Sequence, residues 1–234
     1  MKLTTESLAQ MIDISAVQAP HGAAEVQLLA ERAREYRFKA VHVLPCWVRT
    51  LRDILGDNRF SAVGAPVGFP AGGHTTSVKL AEAAELIRDG VQEMDMMLNV
   101  GKHRSGDYGY VENEVKAVVS VAHESNIPVK VILEVHYLSP DEIRRACEIC
   151  INAGAEFVKT STGWASGGAT LEVVRLITEF VGDAIQVKAA GGVRDLSTVG
   201  EMFRMGVRRF GINIEAATAI VREVAAMPSG SVEL

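Results

Sequence analysis

Eight short apolar runs punctuate this chain, at about residues 10–14, 39–44, 61–67, 91–98, 129–135, 156–160, 185–189 and 207–212, and each has the length of a buried strand. Between them lie longer stretches with the three-to-four residue spacing of an amphipathic helix, such as Val78-Lys79-Leu80-Ala81-Glu82-Ala83-Ala84-Glu85-Leu86-Ile87. Ser139-Pro140-Asp141-Glu142 is a helix start, a capping box with Pro at its first helical position.

Glycines serve as helix stops that hand over to a strand at once. Asp89-Gly90-Val91-Gln92-Glu93-Met94-Asp95, Ala153-Gly154-Ala155-Glu156-Phe157-Val158-Lys159 and Met205-Gly206-Val207-Arg208-Arg209-Phe210-Gly211 repeat one form. If the three segments are equivalent strands, Asp95, Lys159 and Gly211 stand at equivalent heights near the C-terminal ends.

Strict alternation of strand and helix predicts a parallel sheet, and eight units predict an α/β single-domain (β/α)8 TIM barrel over residues 1–226. An open doubly wound sheet is the competing fold; no Gly-x-Gly-x-x-Gly follows the first strand to support it. No linker divides the chain. The segment 99–107 reads as an irregular loop on the catalytic face, and 227–234 reads as a flexible tail.

Composition narrows the partners. With 234 residues, 48% hydrophobic and 23% charged, the chain can bury one large core. A net charge of -5 with dispersed Lys and Arg provides no basic field for nucleic acid. No apolar stretch reaches the roughly 18 residues of a membrane span, and the first residues lack a signal-peptide core, so the expected location is cytoplasmic. Three cysteines without disulfide spacing agree with a reducing compartment. Cys147 and Cys150 form a C-x-x-C inside a helical stretch, without a second pair to complete a zinc site. Neither a metal nor another cofactor is expected.

Chemistry enters with two lysines that end apolar runs and lead into small residues: Val158-Lys159-Thr160-Ser161-Thr162-Gly163 and Val187-Lys188-Ala189-Ala190-Gly191-Gly192. Burial penalises an ammonium, and a cationic neighbour lowers its pKa further, so one of the two can be a neutral amine near pH 7, ready to attack a carbonyl. Asp95, in Met94-Asp95-Met96-Met97-Leu98, and Asp13, in Met11-Ile12-Asp13-Ile14, end strands in equally apolar settings. In a barrel all four meet at the C-terminal mouth. There they serve either as a nucleophile, its tuning cation and proton-carrying carboxylates, or as structural salt bridges. The glycine turns after the last three strands, with Gly163, Gly191, Gly192 and Gly211, leave room for backbone amides to hold an anion, though glycine in such turns can also be purely conformational.

Taken together, Val158-Lys159-Thr160-Ser161-Thr162-Gly163 and Val187-Lys188-Ala189-Ala190-Gly191-Gly192-Val193-Arg194 resemble the paired signature of the deoxyribose-phosphate aldolase family of class I aldolases. The resemblance extends over nearly the whole chain, through Val67-Gly68-Phe69-Pro70, Glu93-Met94-Asp95, Gly106-Asp107-Tyr108 and Val131-Ile132-Leu133-Glu134. It implies that Lys159 forms the Schiff base, that Lys188 tunes it, and that Asp95 relays protons with help from Asp13. Ser15, His42, Thr160 and Asn213 join the glycines as expected substrate contacts. The implied reaction is reversible cleavage of 2-deoxy-D-ribose 5-phosphate to D-glyceraldehyde 3-phosphate and acetaldehyde, with a small-molecule sugar phosphate and an aldehyde as partners. Barrels of this size commonly associate, so a homodimer is the assembly to test.

Three departures bear on the substrate. His42 stands where the family usually has cysteine, Glu134-Val135-His136 replaces a Glu-Thr pair, and Gly211-Ile212-Asn213-Ile214-Glu215 lacks the usual serines of the phosphate end. Two alternatives therefore stay open: a Schiff-base aldolase with another or non-phosphorylated acceptor, and a non-catalytic sugar-phosphate-binding barrel.

Overall fold

Each of the eight apolar runs becomes one parallel strand of a closed sheet in the computed structural model, which describes residues 2–233. A short leading strand β1 (Lys2–Thr4) and helix α1 (Thr5–Ala9) precede the barrel. The barrel strands are β2 (Ile12–Ala16), β3 (Ala40–Val43), β4 (Ala62–Val67), β5 (Glu93–Met97), β6 (Val129–Ile132), β7 (Phe157–Lys159), β8 (Gln186–Ala190) and β9 (Arg209–Asn213). Every neighbouring pair is parallel, and β9 closes the ring by pairing with β2. The chain is a (β/α)8 TIM barrel.

The crossover helices are α2 (Ala23–Tyr36), α3 (Val48–Leu55), α4 (Thr76–Asp89), α6 (Tyr108–Glu124), α7 (Pro140–Ala153), α8 (Leu171–Val181), α9 (Leu196–Arg204) and α10 (Ile214–Ala225), with the short α5 (Val100–Arg104) between β5 and α6. Their apolar faces pack on the outside of the sheet to make the hydrophobic core. Helix α7 starts as its sequence predicts: Ser139 accepts from the Glu142 amide, and the Glu142 carboxylate accepts from the Ser139 amide at 2.7 Å. Gly90 and Gly154 end α4 and α7 in the left-handed region, at φ of 86° and 79°, where a Cβ is costly. Cys147 and Cys150 are buried on α7, and burial pushes the Cys147 thiol up to about 12, which suits packing rather than redox or metal chemistry.

Two segments differ from their sequence reading. Residues 99–107 contain α5 rather than an irregular loop, because Asn99 caps it by accepting from the Lys102 amide, and His103 turns inward to the Glu142 carbonyl at 2.8 Å. Within 227–234, expected as a flexible tail, Ser231–Glu233 forms strand β10, antiparallel to β1. Main-chain bonding to Lys2–Thr4 and burial of Ser231 supply its partners. Met1 and Leu234 lie outside the described residues.

Among the described residues one ion pair is fully buried outside the sheet. Lys79 of α4 meets Glu114 of α6 at 2.7 Å and donates to the Met97 carbonyl at 2.8 Å, which ties the C-terminal end of β5 to two helices.

Candidate active site

Most barrels of this type fill their interior with layers of apolar side chains; here the layers are largely ionic. Side chains alternate along each strand, so residues two apart share the inner face. The lowest layer holds Glu93 of β5, Phe157 of β7 and Arg209 of β9. Above it come Asp13 of β2, Lys130 of β6 and Lys188 of β8, and above those His42 of β3, Asp95 of β5 and Lys159 of β7. Glycines make room for these long groups: a Cβ on Gly64 would lie 2.4 Å from His42 Nε2, and one on Gly211 would lie 3.3 Å from Lys188 Cε.

Asp95 is the hub. Its Oδ2 accepts from Lys159 Nζ at 2.7 Å and from Lys188 Nζ at 2.8 Å, while its Oδ1 accepts from Lys130 Nζ at 3.1 Å and lies 3.2 Å from His42 Nε2. Lys188 also meets Asp13 Oδ2 at 2.7 Å, and Lys130 meets Glu93 at 2.6 Å. Arg209 spans Asp13 and Glu93, donating to both oxygens of Glu93 at 2.6 and 2.7 Å.

The charge count decides which proton is loose. Three carboxylates (Asp13, Glu93, Asp95) face four basic side chains (Lys130, Lys159, Lys188, Arg209), which leaves one cation unmatched. Lys159 is that surplus group, since Asp95 alone pairs with it and its side chain is the most open of the four at 13% exposed. Burial lowers its pKa to about 8, with Lys188 and Lys130 pushing the same way and Asp95 opposing. Lys130 is held charged instead: burial works against the ammonium, but Asp95, Glu93 and Asp13 raise it above the usual lysine range. Burial alone would raise Asp95, yet His42 and the three lysines around it keep its carboxyl well below the usual carboxylate range. Burial also lowers His42, which favours the neutral imidazole.

Above this network opens a cavity of about 190 Å³, and it receives Asp13, Ser15, His42, Asp95, Lys159 and Lys188 together with Gly163, Gly191, Gly192, Gly211 and Asn213. Eleven of the twelve residues singled out in the sequence thus reach one mouth. Thr160 does not: it is fully buried, and its hydroxyl donates to the Ala190 carbonyl at 2.7 Å and accepts from the Ala190 amide at 2.9 Å, bridging β7 to β8 rather than facing a substrate. Asn213 lines the mouth while its Oδ1 accepts from the Ala216 amide and caps α10. Glu215 is exposed and lines an outer groove with Arg32 and Arg222, away from the mouth. His136 lies beside the mouth, against Gly167, with its Nε2 3.1 Å from Ser166 Oγ.

Lys130, Glu93, Arg209 and Arg194 went unread in the sequence as site residues. Lys130, in Val129-Lys130-Val131-Ile132, carried the same signal as Lys159, a basic residue inside an apolar run, but one residue into its strand rather than at the end. Arg194 follows the Gly191-Gly192 turn and lines the mouth, giving the glycine end a cation. Among the described residues, Asp13, His42 and Glu93 have ligand-type atoms within 4.8 Å of one another. Their carboxylates are already engaged by Lys188, Lys130 and Arg209, so a metal ion there would have to displace ammonium and guanidinium groups.

An amine of lowered pKa beside a fixed cation and a carboxylate can form an imine with a carbonyl compound and move protons around it. Residues 7–213 match the model of the DeoC/LacD family aldolases. A deoxyribose-phosphate aldolase of Klebsiella pneumoniae is 48% identical over 236 residues, covering 100% of this chain and 94% of that protein. One from Rhizobium meliloti is 48% identical over 232 residues, covering 99% and 93%. The tetrameric deoxyribose phosphate aldolase from Aeropyrum pernix superposes with a TM-score of 0.85 at 26% identity, over 95% of this chain and 93% of that one.

Proposed function

The chain belongs to the DeoC/LacD family of aldolases, and on that premise we propose that it cleaves 2-deoxy-D-ribose 5-phosphate reversibly to D-glyceraldehyde 3-phosphate and acetaldehyde through an imine on Lys159. The observation that carries this reading is the unmatched ammonium at the mouth, Lys159, with a pKa lowered to about 8.

The Lys159 amine adds to the C1 aldehyde of the open-chain sugar, and loss of water gives an iminium. Loss of the C3 hydroxyl proton lets the C2–C3 bond break; its electron pair passes to the iminium, which becomes an enamine, and C3 leaves as the aldehyde of glyceraldehyde 3-phosphate. Protonation of the enamine carbon and hydrolysis then release acetaldehyde and the free amine. Lys188, bonded to Asp13 and Asp95, is the neighbour that works against the Lys159 proton. Asp95 relays protons through water at the mouth, where it is within hydrogen-bond reach of Lys159. Ser15 orients a substrate hydroxyl, and His42 fixes the Asp95 carboxylate. The phosphate sits against the turns of Gly163, Gly191, Gly192 and Gly211, near Asn213, with Arg194 supplying positive charge in place of side-chain hydroxyls.

Self-association, which the Aeropyrum pernix protein exhibits as a tetramer, is the assembly we propose here, with a homodimer as the smallest form; sedimentation equilibrium measures it. Among the described residues no helix is long and apolar enough to cross a membrane, and we propose a cytoplasmic site of action, where sugar phosphates are held.

Borohydride reduction in the presence of acetaldehyde tests the chemistry. Mass spectrometry of the peptides should find one added two-carbon unit on Lys159, and Lys159→Arg should give none while keeping its fold, because a guanidinium stays protonated. An adduct on another lysine, or on none, rejects the reading. Turnover of deoxyribose 5-phosphate well above that of free deoxyribose supports the phosphate assignment; equal turnover of the two rejects it.

A further inference from the structure

The barrel mouth shares its rim with a second depression, over the ends of β5 to β7, that no step of the proposed reaction uses. It has about 420 Å³ of free space, and its walls are mostly apolar, with Pro70, Met97, Val100, Tyr137 and Trp164 among them. Thr162 belongs to both spaces. Two rings stand between them: Phe69, which faces the mouth, and Trp164, which faces the depression, edge to face with centroids 5.8 Å apart.

Trp164 is 41% exposed, yet it is fastened at three points. Its amide donates to Thr162 Oγ1 at 2.9 Å, and that hydroxyl donates in turn to the buried Glu134 carboxylate. Its indole Nε1 donates to the Val17 carbonyl at 3.0 Å, on the segment that follows β2. The third point is the Phe69 ring. A large apolar side chain left open to water, its backbone fixed within its own loop and its indole held by the Val17 and Phe69 segments, contributes little core burial; its effect is to hold a wall in place.

We propose that Trp164 limits the length of the aldehyde acceptor, because with Phe69 it partitions the mouth from the neighbouring apolar depression. The inference rests on the aldolase reading above. An acceptor carbonyl must meet the enamine carbon on Lys159, and its tail then has two directions. A polar or anionic tail runs to the glycine turns and Arg194. An apolar tail finds only the short side chains of Ala190, Val193 and Ile212 beside those turns and Arg194, and on the other side it stops at Phe69 and Trp164. Removing the indole joins the two spaces and gives that tail about 420 Å³ to enter.

The test uses acetaldehyde as donor with propanal or hexanal as acceptor, for the full-length chain and for Trp164→Phe and Trp164→Ala. Trp164→Ala should raise the ratio of kcat/KM for hexanal over propanal at least tenfold. Trp164→Phe keeps a ring but loses the bond to Val17, and should raise KM for the acceptor two- to fivefold with kcat unchanged. A Trp164→Ala ratio within twofold of the unmodified protein overturns the partition. Borohydride trapping of acetaldehyde, run on each protein, separates the two levels of argument. An adduct without a change in ratio rejects the partition alone, whereas no adduct on the unmodified protein rejects the aldolase reading beneath it. If Trp164→Ala itself fails to fold, Phe69→Ala opens the same wall from the other side and must give the same rise in ratio.

Discussion

Lys159 and Lys188 stand side by side in register on β7 and β8, and their ammonium groups converge on a single oxygen, Oδ2 of Asp95, at 2.7 and 2.8 Å. Two like charges are held this close only because an anion sits between them. The arrangement is asymmetric: Lys188 has a second carboxylate in Asp13, and Lys159 has none. The two lysines are therefore not interchangeable, and the difference can be measured.

Replacing Lys188 with leucine removes one cation and leaves Asp13 and Asp95 short of a partner. Lys159 then ceases to be surplus, and its pKa should rise from about 8 towards the ordinary lysine value of 10.5. The pH midpoint of acetaldehyde trapping should move upward by at least one unit, and the variant should lose about 3–5 kcal/mol of stability, as when a buried pair is broken. An unchanged trapping profile would remove Lys188 from the tuning role.

Asp95→Asn separates imine formation from proton relay. Without the anion, Lys159 loses the one influence that favours its proton, so the amine should be neutral at lower pH and still be trapped by borohydride with acetaldehyde. Turnover should nevertheless fall by about 10²–10⁴-fold, the range expected when a general acid–base group is lost. Full turnover in this variant would transfer the relay to another group.

Stability should fall on acidification. Asp13, Glu93 and Asp95 are all held below their ordinary values of 3.8 to 4.5 in the fold, despite burial, by Lys188, Arg209, Lys130 and their other charged neighbours. Between the folded and unfolded values the unfolded chain binds more protons, so stability present at neutral pH is lost as pH drops through about 4.5 and below, at about 1.4 kcal/mol per unit of depression. Thermal melts from pH 7 to pH 3 should show Tm level at first and then falling below about pH 5. A Tm that stays flat to pH 3 would mean that these carboxylates are not ionised in the folded state.

The barrel was readable from the sequence because its signal is local and repeated: a short apolar run and a helical period eight times over, with the helix-to-strand handover marked by glycine at Gly90, Gly154 and Gly206. The site was readable where chemistry sat at strand ends, as at Asp95, Lys159 and Lys188, since charge in an apolar run is costly enough to need a reason. Thr160 was misassigned because its neighbours Lys159 and Gly163 face the mouth, while it lies one residue on, where the strand turns its side chain away to Ala190. Glu93, Lys130 and Arg209 are a different case. Each is costly in isolation, and only the closed sheet, which sets β9 beside β2 and brings its guanidinium to β5, makes them mutual partners. No spacing along the chain carries that information. The ribbon of β1 and β10 is hidden for the same reason, since it pairs residues from opposite ends of the chain.

The span of Arg209 from Asp13 to Glu93 has a consequence for how this barrel assembles. The guanidinium arrives with the last barrel strand, so a half-barrel built from β2 to β6 holds three carboxylates, Asp13, Glu93 and Asp95, against the single cation Lys130. Partial structures are penalised electrostatically as well as by open sheet edges, and ring closure becomes close to all-or-none. Urea unfolding should accordingly be one transition for the intact chain, and Arg209→Gln should split it in two by making the incomplete ring no worse off than the complete one.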